Sequence, residues 1–461
     1  MKRWFCILLP LFVLLASSAC GRAIGSASAT RTSRLPDQKE VKALLVKLVD
    51  EEIRAPGIVI GMIADDPQER WTLGYGKLGI DDERVPDGDT VFEIGSITKV
   101  FTGTLLAQAV VNGEVRLDDP ISLYLPEGVV APEYEGRAIT LLDLATHASG
   151  LPRMPTNFHP KERKNPYADY TFDQVYDFLS GYRLRRAPGS SFEYSNYGMG
   201  LLGNLLVRRA GRADYEALLL DRIARPLGMD STRVQLTPEM RSRLAAPHAN
   251  YLLPSEDFDI PTLAGAGGIL STANDLLTFL AANMGMTETE LLAAMQLANT
   301  PQRPTDGPDY IGLGWSLPKS VTGIHQHGGR TGGYDTYLAW DPQRKIGVVV
   351  LANAAVDIDD VALQLMRGLL KPFQVDPQVL AVYAGKYQVS ADFFVTIRVD
   401  DTRIFLQAPN QPEYELFARS DSQFYPREFD AELTFYKNAG GEVDRLVLLQ
   451  GGVITEAKKV P

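Results

Sequence analysis

Ser96 and Lys99 are the two residues of this chain best placed to do chemistry together. They lie three residues apart in a run, 93–113, that is apolar on every side: Ile97, Val100, Phe101, Leu105, Leu106, Ala109 and Val110. The run predicts a buried helix ending at Gly113, and its spacing puts Ser96 and Lys99 on one face, one turn apart. Lys99 is the only charge between Glu93 and Glu114, and a lysine is seldom buried without a specific role. Burial disfavours the ammonium and leaves an amine able to take the serine's proton, which describes a nucleophile and its base. The helix start adds backbone N–H groups for a developing oxyanion. Spacing alone is weak. Ser316 and Lys319 show it too, but Pro318 breaks the helical register there.

Two further stretches carry groups suited to the same reaction. Tyr194-Ser-Asn196 follows a Pro- and Gly-marked loop, Ala187–Glu193, and precedes an apolar helix. A phenol can relay a proton there, and an amide can anchor a carbonyl. The bland alternative is a surface turn with Asn196 as helix cap; Tyr436-Lys-Asn438 shows the same pattern without a loop–helix context. His325-Gln-His327-Gly328-Gly329-Arg330 leads into a strand, and its glycines allow close backbone approach to a ligand.

The elements that must position these groups read in order along the chain. Val41–Arg54 has helical spacing, and Gly57–Ala64 and Trp71–Leu78 are strand-like. The middle, about 115–300, is mostly helical, with candidates at Leu141–His147, Phe172–Leu179, Tyr197–Arg209, Tyr215–Arg225, Thr272–Met284 and Glu288–Leu297. Strand signals return at Ile324–His327, Tyr334–Trp340 and Ile346–Leu351, and the amphipathic Val361–Leu370 follows. Strands, helices, then strands predict an α+β fold whose antiparallel sheet takes chain from both ends, with flanking helices and a helical lobe. Beyond Pro372, short runs between turn residues predict a small all-β domain. The expected divisions are a signal at 1–20, a flexible tether at 21–36, a hydrolase domain at 37–372 and an all-β domain at 373–461.

Taken together, Ser96-x-x-Lys99, Tyr194-x-Asn196 and His327-Gly328-Gly329, in that order, resemble the serine β-lactamase and penicillin-binding protein superfamily. The resemblance is to the branch of class C β-lactamases, D-alanyl-D-alanine carboxypeptidases and related esterases. Thr140–Pro152, Arg225–Asp230 and Ala264–Thr272 also look like that branch, and the stretch from Tyr383 resembles the lipocalin-like barrel appended to some members. The resemblance implies an acyl-enzyme on Ser96, with Lys99 and Tyr194 sharing the base role. It implies an oxyanion hole from the backbone N–H groups of Ser96 and Arg330, and substrate contacts from Asn196, His327, Gly328 and Gly329. It implies no metal and no cofactor, and a small-molecule or peptide acyl substrate. One departure stands out. His327-Gly328-Gly329 replaces Lys-Thr-Gly, removing a hydroxyl and a dependable charge; Arg330 is the nearest substitute, and weight shifts toward less anionic esters, amides or peptides. The reading requires Ser96 and Lys99 to face an open pocket lined by Tyr194 and His327. The rival reading is a catalytically silent envelope protein using the same fold to bind peptidoglycan or a partner.

Composition fits an exported globular protein. Charged residues are 22% and hydrophobic ones 45%, and the net charge of −11 argues against nucleic acid as partner. Lys2 and Arg3, the apolar run from Trp4 to Ala16 and the small residues before Cys20 read as a secretory signal of lipoprotein type, with Cys20 the lipidated residue. That predicts a cell-envelope protein, lipid-anchored and facing the periplasm, touching the membrane only through that anchor. Cys6 and Cys20 are the only cysteines, so the exported part has no disulfide. The oligomeric state has no signal in the sequence.

Overall fold

Gly57–Ile63 is buried along its whole length because alternate side chains meet different layers. Ile58, Ile60 and Met62 pack with Val41, Leu45, Val361 and Met366 on one side. Val59 and Ile63 pack with Leu277, Leu280 and the Ser96 helix on the other. The strand therefore sits between helices, and its sequence is continuously apolar rather than alternating. The structure, a computed structural model, describes residues 35–65, 67, 69–307, 309–318, 323–368, 375–418, 421–426, 431–438, 440–450 and 453–460. The expected signal with Cys20, nearly all of the expected tether, and Lys319 lie outside the described residues.

The main sheet is antiparallel, in the order Arg70–Gly76, Gly57–Ile63, Ile346–Ala352, Asp335–Asp341, His325–Arg330, Ser316–Leu317, Tyr310–Ile311, Arg303–Pro304. Chain from before and after the helical middle pairs within it, with Ile60 opposite Val350. The α+β expectation holds, and most predicted elements fall within a few residues of those observed. Val41–Arg54 and Tyr215–Arg225 each contain a wider π-helical turn, at Lys47–Glu51 and Leu220–Ala224.

The stretch around Ser96 differs from expectation at its start. Val91–Glu93 is a short strand paired with Leu270–Thr272, Gly95–Ile97 is a 3-10 turn, and the α-helix runs Thr98–Val111. The cause is Gly95, whose φ of +48° is a left-handed conformation that interrupts helical geometry. At the far end Gly113 has φ +69°, as a helix stop at that glycine requires.

The C-terminal chain forms a closed eight-stranded barrel from Gly385–Ser390 to Val453–Val460. Lys386 opposite Val460 closes it. Its interior is filled: Tyr383 stacks on Phe435 at 4.2 Å, and Phe424 meets Phe435 edge-on at 5.5 Å. Among the described residues no helix is long and apolar enough to cross a membrane.

Candidate active site

Lys99 is completely buried. Its Nζ donates to Ser96 Oγ at 2.8 Å and to the carbonyl of Ala266 at 2.6 Å. Burial pushes its pKa below the ordinary lysine value, against a weaker opposing pull from the Tyr194 phenol. With the amine neutral, the same 2.8 Å contact lets the serine hydroxyl pass its proton to nitrogen. The Ala266 carbonyl is held in place by the helix it faces. Ile269 N–H donates to Thr98 Oγ1 at 3.1 Å, and Thr102 Oγ1 donates to the Gly265 carbonyl at 2.6 Å. Gly203 and Gly265 let their backbones approach, since a Cβ on either would lie 3.1 Å from the other's Cα.

Tyr194 stands beside this pair, its ring centroid 4.9 Å from Lys99 Nζ. The His147 ring packs on it at 4.4 Å, and the Arg153 guanidinium carbon lies 5.0 Å from its centroid. His147 is buried with φ +54°, and its Nδ1 accepts the Ser195 N–H at 3.1 Å. Burial drives its pKa well below 6.5, so it packs against Tyr194 as a neutral ring. A capping box at Thr140 and Asp143 starts the helix that leads to His147. Asp143 also pairs with Arg303 at 2.7 Å, and Arg303 donates to the Gly189 carbonyl at 3.1 Å. One buried carboxylate thus fixes both the His147 segment and the loop that ends in Tyr194.

Asn196 is not the helix cap. Ser195 fills that position, its Oγ accepting the Gly198 N–H at 2.8 Å. Asn196 becomes the first residue of the helix Asn196–Ala210, and its buried Oδ1 has no hydrogen-bond partner. An amide freed from capping is available to a ligand.

The strand His325–Arg330 runs against the Ser96 turn. Thr336 Oγ1 bridges them, lying 3.0 Å from the Ile94 carbonyl and 3.1 Å from that of Gly329. A Cβ on Gly329 would lie 2.0 Å from the Ile94 oxygen, and one on Gly95 would lie 2.8 Å from Arg330 N. Glycine at both positions is what lets the backbone of Arg330 come close to that of Ser96.

One expectation for this strand needs correction. Arg330 is no substitute cation: its guanidinium is ion-paired with Asp335, and Nη2 donates to the Val356 carbonyl at 3.2 Å. His327, which the sequence left without a dependable charge, is neutral, with burial the main cause of a pKa near 4, and its Nδ1 lies 2.6 Å from the Gly328 carbonyl. The pocket also differs. A cleft of about 370 Å3 is lined by Ser96, Asn196, Arg330, Tyr167, Phe258 and Ala266 among others, but not by Tyr194 or His327. Both are half-buried. Among the described residues no barrel residue lines the cleft. Among the described residues no cluster of His, Cys, Asp and Glu could hold a metal.

Glu93, expected in the helix, is instead a buried carboxyl under the neighbouring loop, and its Oε1 accepts the Phe258 N–H at 2.5 Å. Burial pushes its pKa up from 4.5 to about 8. Between those values the folded protein holds a proton that the unfolded chain has released, so stability declines as pH rises from 4.5 to 8 and then levels. Glu93→Gln should remove that slope, which is at most about 1.4 kcal/mol per pH unit. Urea midpoints at pH 5 and pH 9 check this: the variant should gain on wild type at the higher pH. Parallel behaviour at both would show that Glu93 ionises freely in the fold.

Comparison with known proteins gives the same picture. Residues 42–371 match the family model described as Beta-lactamase. The D-alanyl-D-alanine-carboxypeptidase/endopeptidase AmpH of Escherichia coli K12 is 31% identical over 315 residues, 64% of this chain and 79% of that protein. A beta-lactamase of the same organism is 28% identical over 344 residues, 66% of this chain and 85% of its own. Among solved structures, a beta-lactamase/D-alanine carboxypeptidase from Yersinia pestis is 30% identical with a TM-score of 0.62, covering 72% of this chain and 99% of its own. A D-alanine carboxypeptidase AmpC from Burkholderia cenocepacia is 27% identical, also with a TM-score of 0.62 and the same coverage.

The sequence pointed to Ser96, Lys99, Tyr194, Asn196 and the 327–330 strand, and the fold brings all of them to one place. It did not point to roles for His147, Arg153 or the Ala266 carbonyl. The first two lie in the Thr140–Pro152 stretch or next to it, and a histidine at the end of an apolar helix, just before a Gly150–Pro152 turn, was the available signal.

Proposed function

Since this chain belongs to the beta-lactamase family and is a serine hydrolase, we propose that it opens a β-lactam or a D-Ala peptide, or a related ester or amide, through an acyl-enzyme on Ser96. The observation that carries this reading is the fully buried Lys99 amine 2.8 Å from Ser96 Oγ. Ser96 attacks the carbonyl as its proton moves to Lys99, with Tyr194 sharing the proton through its phenol. The backbone N–H groups of Ser96 and Arg330 receive the oxyanion, and Asn196 orients the substrate from the cleft wall. The proton then passes to the leaving group, and water resolves the ester bond to Ser96. Neutral His327 and the missing hydroxyl at Gly328 favour substrates that do not depend on this strand for charge. The protein works in the cell envelope, exported and anchored through a lipid on Cys20; an exported chain recovered soluble with a free N-terminus would overturn the anchor.

The test is intact-mass measurement with a penicillin and a fluorophosphonate, together with rates on nitrocefin, a p-nitrophenyl ester and a D-Ala-D-Ala peptide. An adduct on Ser96, absent in Ser96→Ala, is the expected result. No adduct with either probe would favour the silent binding protein instead.

A further inference from the structure

The cations near the reacting serine are nearly all committed. Lys99 is tied to Ser96 and Ala266, and Arg330 to Asp335 and Val356; half-buried His327 is neutral and lies against the Gly328 carbonyl. Arg153 differs. Its side chain is exposed, its guanidinium carbon lies 5.0 Å from the Tyr194 ring centroid, and it has no hydrogen-bond or ion-pair partner among the described residues. Its backbone is fixed to the site. The Arg153 carbonyl accepts the N–H groups of both Asn196 and Tyr197 at 3.1 Å, and Ser195 Oγ donates to the Pro152 carbonyl at 2.7 Å. A free guanidinium is thus held on an aromatic platform, next to the amide that lines the cleft. Guanidinium geometry matches a carboxylate in bidentate fashion, and stacking on a ring limits the rotamer freedom lost on binding.

We propose that Arg153 is the carboxylate-recognising residue of this site, supplying from the Tyr194–Asn196 wall the charge that the His327-Gly328-Gly329 strand lacks. The substrates selected are acyl compounds bearing a free carboxylate within reach of that wall. The proposal rests on the acyl-enzyme reading above. It also reverses the expectation that the altered third motif turns the protein toward less anionic substrates.

Three matched p-nitrophenyl-type esters test it: one neutral, one with a carboxylate on the acyl chain, one with a carboxylate on the leaving group. Arg153→Gln should lower the ratio of kcat/KM, carboxylated over neutral, by about tenfold or more, the loss of a hydrogen bond to a charged group. The change should appear in KM, and Arg153→Lys should restore part of it. Selective loss on either carboxylated ester supports the proposal and says which end of the substrate Arg153 meets. Equal loss on all three esters, read in kcat, would make Arg153 a support for Tyr194 and overturn it, as would no loss. Fluorophosphonate labelling of wild type separates the two levels. Failure to label sinks the acyl-enzyme reading, whereas labelling without carboxylate selectivity sinks only the assignment of Arg153.

Discussion

Ser96→Ala and Lys99→Ala are each expected to lower kcat/KM by about four to six orders of magnitude, with the double variant little worse than either single one. The two side chains act on one proton. Without Lys99 the hydroxyl has no acceptor, and without Ser96 the amine has nothing to deprotonate. Lys99→Ala also leaves a void in a fully buried position and removes the donor to the Ala266 carbonyl. Lys99→Met is therefore the better comparison, because it keeps the volume and loses only the nitrogen. Rates of the three single variants and the Ser96→Ala/Lys99→Met pair check this. Effects that add in free energy across the pair would mean that the groups do not share a step.

Gly329→Ala should lower kcat by about two to three orders of magnitude while Ser96 and Lys99 stay intact, the loss typical of a displaced oxyanion donor. The new methyl group would lie 2.0 Å from the Ile94 carbonyl oxygen and 2.5 Å from Thr336 Oγ1, so backbone must move. The strand shifts away from the Ser96 turn and takes the N–H of Arg330 with it. Thermal unfolding controls for stability. A folded variant with a large fall in kcat and little change in KM is expected. Near wild-type turnover would mean that the 329–330 backbone gives no help to the transition state.

The legible part of the site is the local part. Ser96 and Lys99 can be read from the sequence because a helical spacing of three residues fixes their neighbourhood without reference to the rest of the chain. The α+β order was legible because apolar strand runs at both ends need a common sheet. What long-range packing decides was not legible. Glu93 reads as helix because the apolar run continues through it, yet Gly95 turns the chain and leaves Glu93 in a strand. The neutrality of His327 comes from burial by elements brought together only in the fold. Arg153 gave no signal, since an exposed arginine is ordinary until the ring beneath it is seen.

The pH dependence of Ser96 acylation by a fluorophosphonate is the most direct test of a desolvated Lys99 as base. Labelling should rise with pH and level off, with a midpoint below the ordinary lysine value of 10.5, since burial lowers the pKa of this amine. Lys99→Met should abolish that transition along with most of the rate. A midpoint in the ordinary lysine range, or the same profile in Lys99→Met, would contradict the account.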